Sequence, residues 1–226
     1  MPARLHFTLA TPVDANAIFD LVYKDPQPFL KSATLSDVQD WIANGSCWIV
    51  RDIGGAGIIG ACNIRVPETN RYDEPEPAEF GGIFIHSEYR VRGISDALGV
   101  LALASYFWDN DPESPNPIPI ISHVHVQNPD PLGLLARLGF VFDKNVPVPR
   151  GTPGFEHMPV DENGQLWGKE FRWPPEGRIH LFREMAKLLA TQQIDKYGVC
   201  IVPALAMVEP ELERLATHLE GLQTQQ

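Results

Sequence analysis

Arg90, Arg92, Gly93 and Ser95 stand where an apolar run, Gly81-Gly82-Ile83-Phe84-Ile85, gives way to a helix-like one. A strand that turns tightly into a helix leaves a ring of backbone N–H groups unpaired, and the helix dipole favours negative charge there. Phosphate is the natural guest of such a junction. The two arginines add positive charge, Gly93 lets the backbone approach a ligand with no Cβ in the way, and Ser95 is nearly as small. A second group follows: His123 and His125 share one face of a strand by period-two alternation, while Ser122, Val124 and Val126 take the other. A histidine pair also suggests a metal, but no third ligand at useful spacing accompanies it, so none is expected. The glycines of Asp52-Ile53-Gly54-Gly55-Ala56-Gly57 lack the Gly-Lys-Ser/Thr and following helix of a P-loop, and read as a hairpin turn.

The elements that must hold these residues follow from pattern. Residues 5–9 alternate like a half-buried strand, and Thr11-Pro12-Val13-Asp14 supplies a cap and an N1-type proline for a helix to about Tyr23. After a proline-rich turn at 25–28, Thr34-Leu35-Ser36-Asp37 caps a second helix with Val38, Trp41 and Ile42 on one face, ended by Asn44-Gly45. Residues 47–51 and 58–66 are the arms of a hairpin, and an acidic loop at 67–78 precedes a strand at 79–85. Ala97, Leu98, Leu101, Ser105 and Trp108 recur at helical spacing, and an Asp/Pro-rich loop at 109–117 closes that helix. Residues 118–126 are strand-like, and 131–138 form a short helix with Gly139 as its C-cap. The order β-α-α-β-β-β-α-β-α describes an α/β or α+β domain on a mixed sheet.

The bulk properties narrow the class of partner. At 226 residues with 44% apolar content the chain can build one substantial domain or a domain plus an extension. A net charge of −11 argues against nucleic acid and mildly favours cationic small molecules or peptides. No window approaches the roughly 18 uninterrupted apolar residues of a membrane span, and residues 1–10 lack a signal-peptide core. No membrane partner and a cytoplasmic location are therefore the expectation. Cys47, Cys62 and Cys200 are odd in number and widely spaced, which fits neither a disulfide framework nor a paired zinc motif, so they are expected to be reduced and buried.

Two segments carry a family resemblance. Arg90-Val91-Arg92-Gly93-Ile94-Ser95 resembles the Q/R-x-x-G-x-G/A pyrophosphate loop of the GNAT acyltransferase superfamily. Some way on, Asn128-Pro129-Asp130-Pro131-Leu132-Gly133-Leu134-Leu135-Ala136-Arg137-Leu138-Gly139-Phe140 resembles that family's second signature, N-x-x-A-x-x-L-Y-x-x-L-G-F, in register at Asn128, Leu134 and Leu138-Gly139-Phe140. The Thr11-Pro12-x-Asp14 start, the hairpin with Ile59-Gly60 and the element order resemble it too, over roughly residues 4–173. The resemblance implies a GNAT-like mixed central β-sheet flanked by helices, a domain at 1–173, and an N-acyltransferase using acetyl-CoA or another acyl-CoA. It implies a small-molecule or peptide amine acceptor, attacking directly in a ternary complex. Ile83, Phe84, Ile85, Arg90, Val91, Arg92, Gly93, Ile94, Ser95, Asp96, Asn128, Leu134 and Leu135 would hold the cofactor. Glu79 would be the general base, with His86 near the thioester and a backbone N–H near Ile85 or His86 meeting the oxyanion.

Two departures bear on this. Ser95 replaces the loop's last Gly/Ala, and Leu135 stands where many members carry the tyrosine that protonates the departing thiolate. A thiol of pKa about 8.5 leaving unprotonated at neutral pH costs only about 2 kcal/mol, whereas freeing an amine of pKa about 10.4 costs about 4.6 kcal/mol. The base therefore matters more than the acid. Leu135 also supports the competing reading, a catalytically silent CoA-binding sensor or interaction module. A ping-pong route through cysteine is not expected, because nothing near Cys47 or Cys62 marks a lowered pKa.

The last third is proline- and glycine-rich at 146–159, where Phe155, Glu156 and His157 are candidates for the acceptor site, and a final sheet strand is expected at 165–173. Residues 174–226 form an extension: an amphipathic helix at 178–192, a buried strand or apolar segment at 199–207 and a helix at 209–222. This extension either packs on the core and covers a sheet edge, or forms a homodimer interface or an acceptor-site lid.

Overall fold

The structure is a computed structural model that describes residues 4–24, 29–55, 57–65, 77–90, 93–110, 112–114, 118–194, 197–202 and 209–224. Strand β1 (Arg4–Leu9) buries Leu5 and Phe7, and a 3-10 turn at Pro12–Asp14 leads into helix α1 (Ala15–Val22). Asp14 fixes that entry by accepting from the Thr11 N–H and hydroxyl, both at 2.9 Å, while Arg51 donates to its other oxygen. Helix α2 (Leu35–Ala43) starts on a capping box: Thr34 Oγ1 accepts from the Asp37 N–H, and the Asp37 carboxylate accepts from the Thr34 N–H.

The hairpin strands β2 (Cys47–Asp52) and β3 (Gly57–Arg65) precede β4 (Ala78–Ile85). Helix α3 (Ile94–Asp109) is buried on nearly every side, which is why its sequence reads Ala- and Leu-rich all round. Then come β5 (Ile120–His125), α4 (Leu132–Arg137), β6 (Val141–Val148), β7 (Leu166–Trp173), α5 (Glu176–Thr191), β8 (Gln193–Ile194), β9 (Tyr197–Val202) and α6 (Glu209–Gln223). The expected order through α4 is observed. Strand β6 was not expected: it is exposed along most of its length and contains Pro147, so no alternation marks it, and an edge strand tolerates the missing N–H. The proline turn at 25–28, most of the acidic loop at 67–78 and residues 203–207 lie outside the described residues.

Among the described residues the sheet has nine strands in the order β6-β7-β5-β4-β3-β2-β1-β9-β8. One face is covered by α3, with α5 against it and α6 against α5, in a core that includes Phe7, Trp48, Phe80, Phe107, Phe182 and Leu215. The other carries α1 and α2 over Ile49 and Ala61. Strand β9 pairs in parallel with β1, so the extension continues the sheet.

Two irregularities position everything that follows. Strands β4 and β5 pair in parallel at Ala78↔Ile120 and Glu79↔Ile121 and then separate. On its other side β4 is bulged: between Asn63↔Gly81 and Ala61↔Phe84, β3 moves two residues while β4 moves three. Gly82, at φ +61, absorbs the extra residue in a conformation that glycine takes without strain.

Candidate functional site

The separation of β4 from β5 opens a cleft of about 810 Å³, a volume suited to a cofactor-sized ligand. Its wall along β4 is backbone. The His86 N–H donates to the Ile59 carbonyl at 2.7 Å, and successive residues of an antiparallel ladder point in alternate directions. Ile85 therefore turns its N–H and C=O away from β3, toward the gap. Arg90 Nε donates to that carbonyl at 3.2 Å, and the guanidinium lies 6.0 Å from the Phe84 ring centroid, which fixes a cation at the mouth of the cleft.

At the same end α3 begins. Gly93 is its N-cap at φ +110, and a Cβ there would lie 2.7 Å from Ile194 Cγ2 on β8. The first turn presents Ser95 to the cleft. Asp96 chelates Arg137 from α4, and Arg137 adds a second positive side chain to the cleft wall.

Across the α1/α2 face of the sheet runs a row of charges. Arg65 Nη2 lies 3.3 Å from Glu79 Oε2, and Glu79 Oε1 lies 3.2 Å from His123 Nδ1. His123 Nε2 lies 3.3 Å from Glu170 Oε2, and Glu170 in turn meets Lys144 at 3.6 Å and Arg172 at 3.4 Å. Burial works against ionising Glu79, but the His123 hydrogen bond and the Arg65 charge outweigh it and hold the carboxyl below its usual range. The Glu79 hydrogen bond, opposed by desolvation and helped by Glu170, raises His123 above an ordinary histidine. Of this row, His123 reaches the cleft wall.

Beyond Gly82 and Leu30, which border both spaces, a second cavity of about 140 Å³ is walled by Tyr23, Lys31, Asp37, Trp41, Asn63 and Arg65. Its rim is a clasp between two loops. The Ser32 N–H donates to the Gly154 carbonyl at 2.9 Å, His157 Nε2 lies 3.1 Å from the Leu30 carbonyl, and Lys31 sits 5.5 Å over the Phe155 ring.

Of the residues expected at a cofactor site, Ile83, Phe84, Ile85, Arg90, Ser95, Asn128, Leu134 and Leu135 line the cleft. Gly93 and Ile94 form the helix start beside it, with the Ile94 side chain in the core, and Val91 and Arg92 lie outside the described residues. Glu79 stands behind His123, and His86 is turned away: its N–H is spent on Ile59 and its Nδ1 accepts from the Glu88 N–H. Of the two backbone groups expected at an oxyanion, Ile85 is the one facing the gap. Sequence reasoning missed Arg137, although it sits inside the second motif, and missed Asn63, which carries no local signal. Burial pushes the Cys47 thiol up to about 12 and the Cys62 thiol well above its usual value. Among the described residues no group of three or more His, Cys, Asp and Glu is placed to hold a metal ion.

No protein-family model matches the chain, and no curated protein does. Solved structures do. The chain is similar to a chain of the NatC complex bound to Gag peptide and CoA, with TM-score 0.57 and 15% identity over 76% of this chain and 98% of that one. It is similar to Arabidopsis thaliana NAA60 in complex with a bisubstrate analogue, with TM-score 0.52 and 19% identity over 75% and 97%. It is also similar to a spermidine N-acetyltransferase chimera from Vibrio cholerae and hSSAT, with TM-score 0.52 and 19% identity over 78% and 98%.

Proposed function

From the premise that this chain has the fold of the GNAT N-acetyltransferases, we propose that it is an acyl-CoA-dependent N-acyltransferase that moves an acetyl group to an amine. The observation that carries this reading is the gap between β4 and β5, with the Ile85 N–H turned toward it, Arg90 on the Ile85 carbonyl at its mouth and His123 on its wall. The residues present fit acetyl-CoA. An extended amide-bearing arm pairs with an unpartnered strand edge, and the diphosphate suits the α3 start flanked by Arg90 and Ser95. When bound, acetyl-CoA supplies a thioester whose acyl carbon takes up an amine nitrogen as the C–S bond breaks.

The chain's own groups divide the remaining work. The Ile85 N–H is directed to where the carbonyl oxygen gains charge. The Glu79–His123 pair takes the amine proton. Glu79 alone, held below its usual pKa, is a poor match for an ammonium ion, whereas a histidine raised above its ordinary value is a better one. Glu79 thus positions and tunes His123 at Nδ1, and Nε2, which faces Glu170 at 3.3 Å in the resting site, takes the proton when the amine replaces that contact. Asn128 borders the cleft and would flank the cofactor, and Leu135, 2% exposed, closes the cleft without offering a proton.

Calorimetric titration of acetyl-CoA into wild type and Arg90→Glu tests the binding half: micromolar binding lost in the variant supports it, and no binding to wild type overturns it. Leu135 favours a second reading, a CoA-binding module without turnover. His123→Gln separates the two, because only an enzyme loses CoA release while keeping CoA affinity.

A further inference from the structure

Asn63 is 3% exposed, yet neither its side-chain oxygen nor its nitrogen has a hydrogen-bond partner, and the Arg65 Nε beside it is likewise buried and unpaired. Both residues wall the small cavity, and Oδ1 lies so close over Gly82 that a Cβ there would be 2.4 Å away. A buried amide with both edges unmet is costly, and natural cores rarely tolerate one without a ligand or a water to complete it. The group that completes an Asn side chain on both edges is another amide: a primary amide offers an oxygen to Nδ2 and an N–H to Oδ1 from one group, and a peptide offers the same pair as the N–H and C=O of a single extended residue, because its own trans amide points them apart. A carboxylate would leave Oδ1 facing a second acceptor, and an ammonium would leave Nδ2 unmet.

The charges agree. Among the described residues the cavity wall carries Lys31 and Arg65 against Asp37 alone, and the Asp37 carboxylate is engaged by the Thr34 N–H and hydroxyl at 2.7 Å. A polyamine entering here meets Lys31, an Arg65 already paired with Glu79, and one carboxylate, Asp37, already engaged by its helix cap. Tyr23, whose pKa is raised by burial, presents a neutral hydroxyl, and its ring sits 5.7 Å from that of Trp41, leaving an apolar wall for a side chain of modest size.

We propose that the acceptor is an α-amine carrying an adjacent amide, a peptide N-terminus or an amino-acid amide, held by Asn63 and Arg65 with its amine passing over Gly82 into the cleft. This rests on the acyltransferase reading. It runs against the chain-wide acidity, which by itself favours cationic partners; among the described residues the cavity wall shows no such acidic excess.

The test is CoA release at saturating acetyl-CoA from the full chain, with alaninamide, a tetrapeptide beginning with alanine, free alanine and spermidine as acceptors. Alaninamide and the tetrapeptide are expected to exceed both others in kcat/KM by about tenfold or more, the scale of one unmet hydrogen bond in a buried site. A tetrapeptide far above alaninamide assigns the site to polypeptide ends, and parity assigns it to small amides. Asn63→Leu should lose that preference through KM, with acetyl-CoA affinity unchanged and no fall in melting temperature. Lys31→Glu, on the rim, should raise spermidine turnover several-fold. Preference for spermidine or free alanine, no turnover of any acceptor by protein that binds acetyl-CoA, or an Asn63→Leu variant equal to wild type would each overturn the proposal while leaving the cofactor site standing. Failure to bind acetyl-CoA would remove the acyltransferase reading and this one with it.

Discussion

Glu79 Oε1 and His123 Nδ1 are 3.2 Å apart on neighbouring strands, joined just where β4 and β5 stop pairing. The last rung of the parallel ladder thus holds the acid that tunes the histidine, and the stretch beyond it holds the histidine itself, whose other nitrogen faces Glu170 at 3.3 Å.

The pH profile should reflect that pairing. A histidine whose pKa is raised stays protonated to higher pH, and its base form fails as pH falls through the raised value. kcat/KM should therefore drop on the acid side with an inflection above about 6.5, the ordinary histidine value. Glu79→Gln should move the inflection down and lower the rate. A profile indifferent to Glu79→Gln would remove the pair from the mechanism.

Gly82→Ala should damage turnover more than folding. The new Cβ would meet Asn63 Oδ1 at 2.4 Å and the Tyr23 hydroxyl at 3.0 Å, and φ +61 costs a non-glycine residue about 1–2 kcal/mol. Acceptor KM should rise by at least an order of magnitude while urea unfolding shows the modest loss. An unaltered KM would place the acceptor elsewhere.

Gly93→Ala should weaken acetyl-CoA binding. The added methyl runs into Ile194, and at φ +110 the loop must move to accept it. An affinity loss of about tenfold is expected by calorimetry if, as proposed, the shifted backbone cradles the diphosphate. Full affinity in this variant would mean that the diphosphate is held away from Gly93.

Asp14 should show as an acid-sensitive clamp. Burial opposes its ionisation, but hydrogen bonds from Thr11 and Arg51 win and lower its pKa. A depressed carboxyl adds stability that is complete above its unfolded value of about 3.9 and is lost as pH falls through the lower folded value. Asp14→Asn should destabilise by about 1–3 kcal/mol at neutral pH, measured by urea titration, and flatten the pH dependence of stability below pH 4. An identical acid limb in both proteins would assign the acid sensitivity elsewhere.

Local pattern made most elements legible, because caps such as Thr34 with Asp37 and runs such as Ile58–Ile64 announce themselves within a few residues. Strand β6 was hidden because an exposed edge has no buried face to alternate against. In the site, the alternation of β5 placed His123 and His125 on one face correctly, yet it could not say that Glu79 and Glu170 flank His123. Those partners come from other strands, and sheet order is fixed by packing rather than by spacing. Nor does anything around Asn63 distinguish it from a residue whose amide is satisfied. His125, its neighbour in pattern, is instead buried, with Nε2 2.9 Å from the Pro159 carbonyl and its ring stacked on Phe29.

The contact between Gly93 and Ile194 also sets an order of events during biosynthesis. The loop at Gly93 leaves the ribosome roughly one hundred residues before Ile194, an interval of about 5–20 s at ordinary rates of translation. Until then β1 lacks its β9 neighbour and the start of α3 at Gly93 lacks its backing from Ile194. A nascent chain can therefore build most of its sheet early, while the helix start at Gly93 gains its backing only as the last two strands arrive.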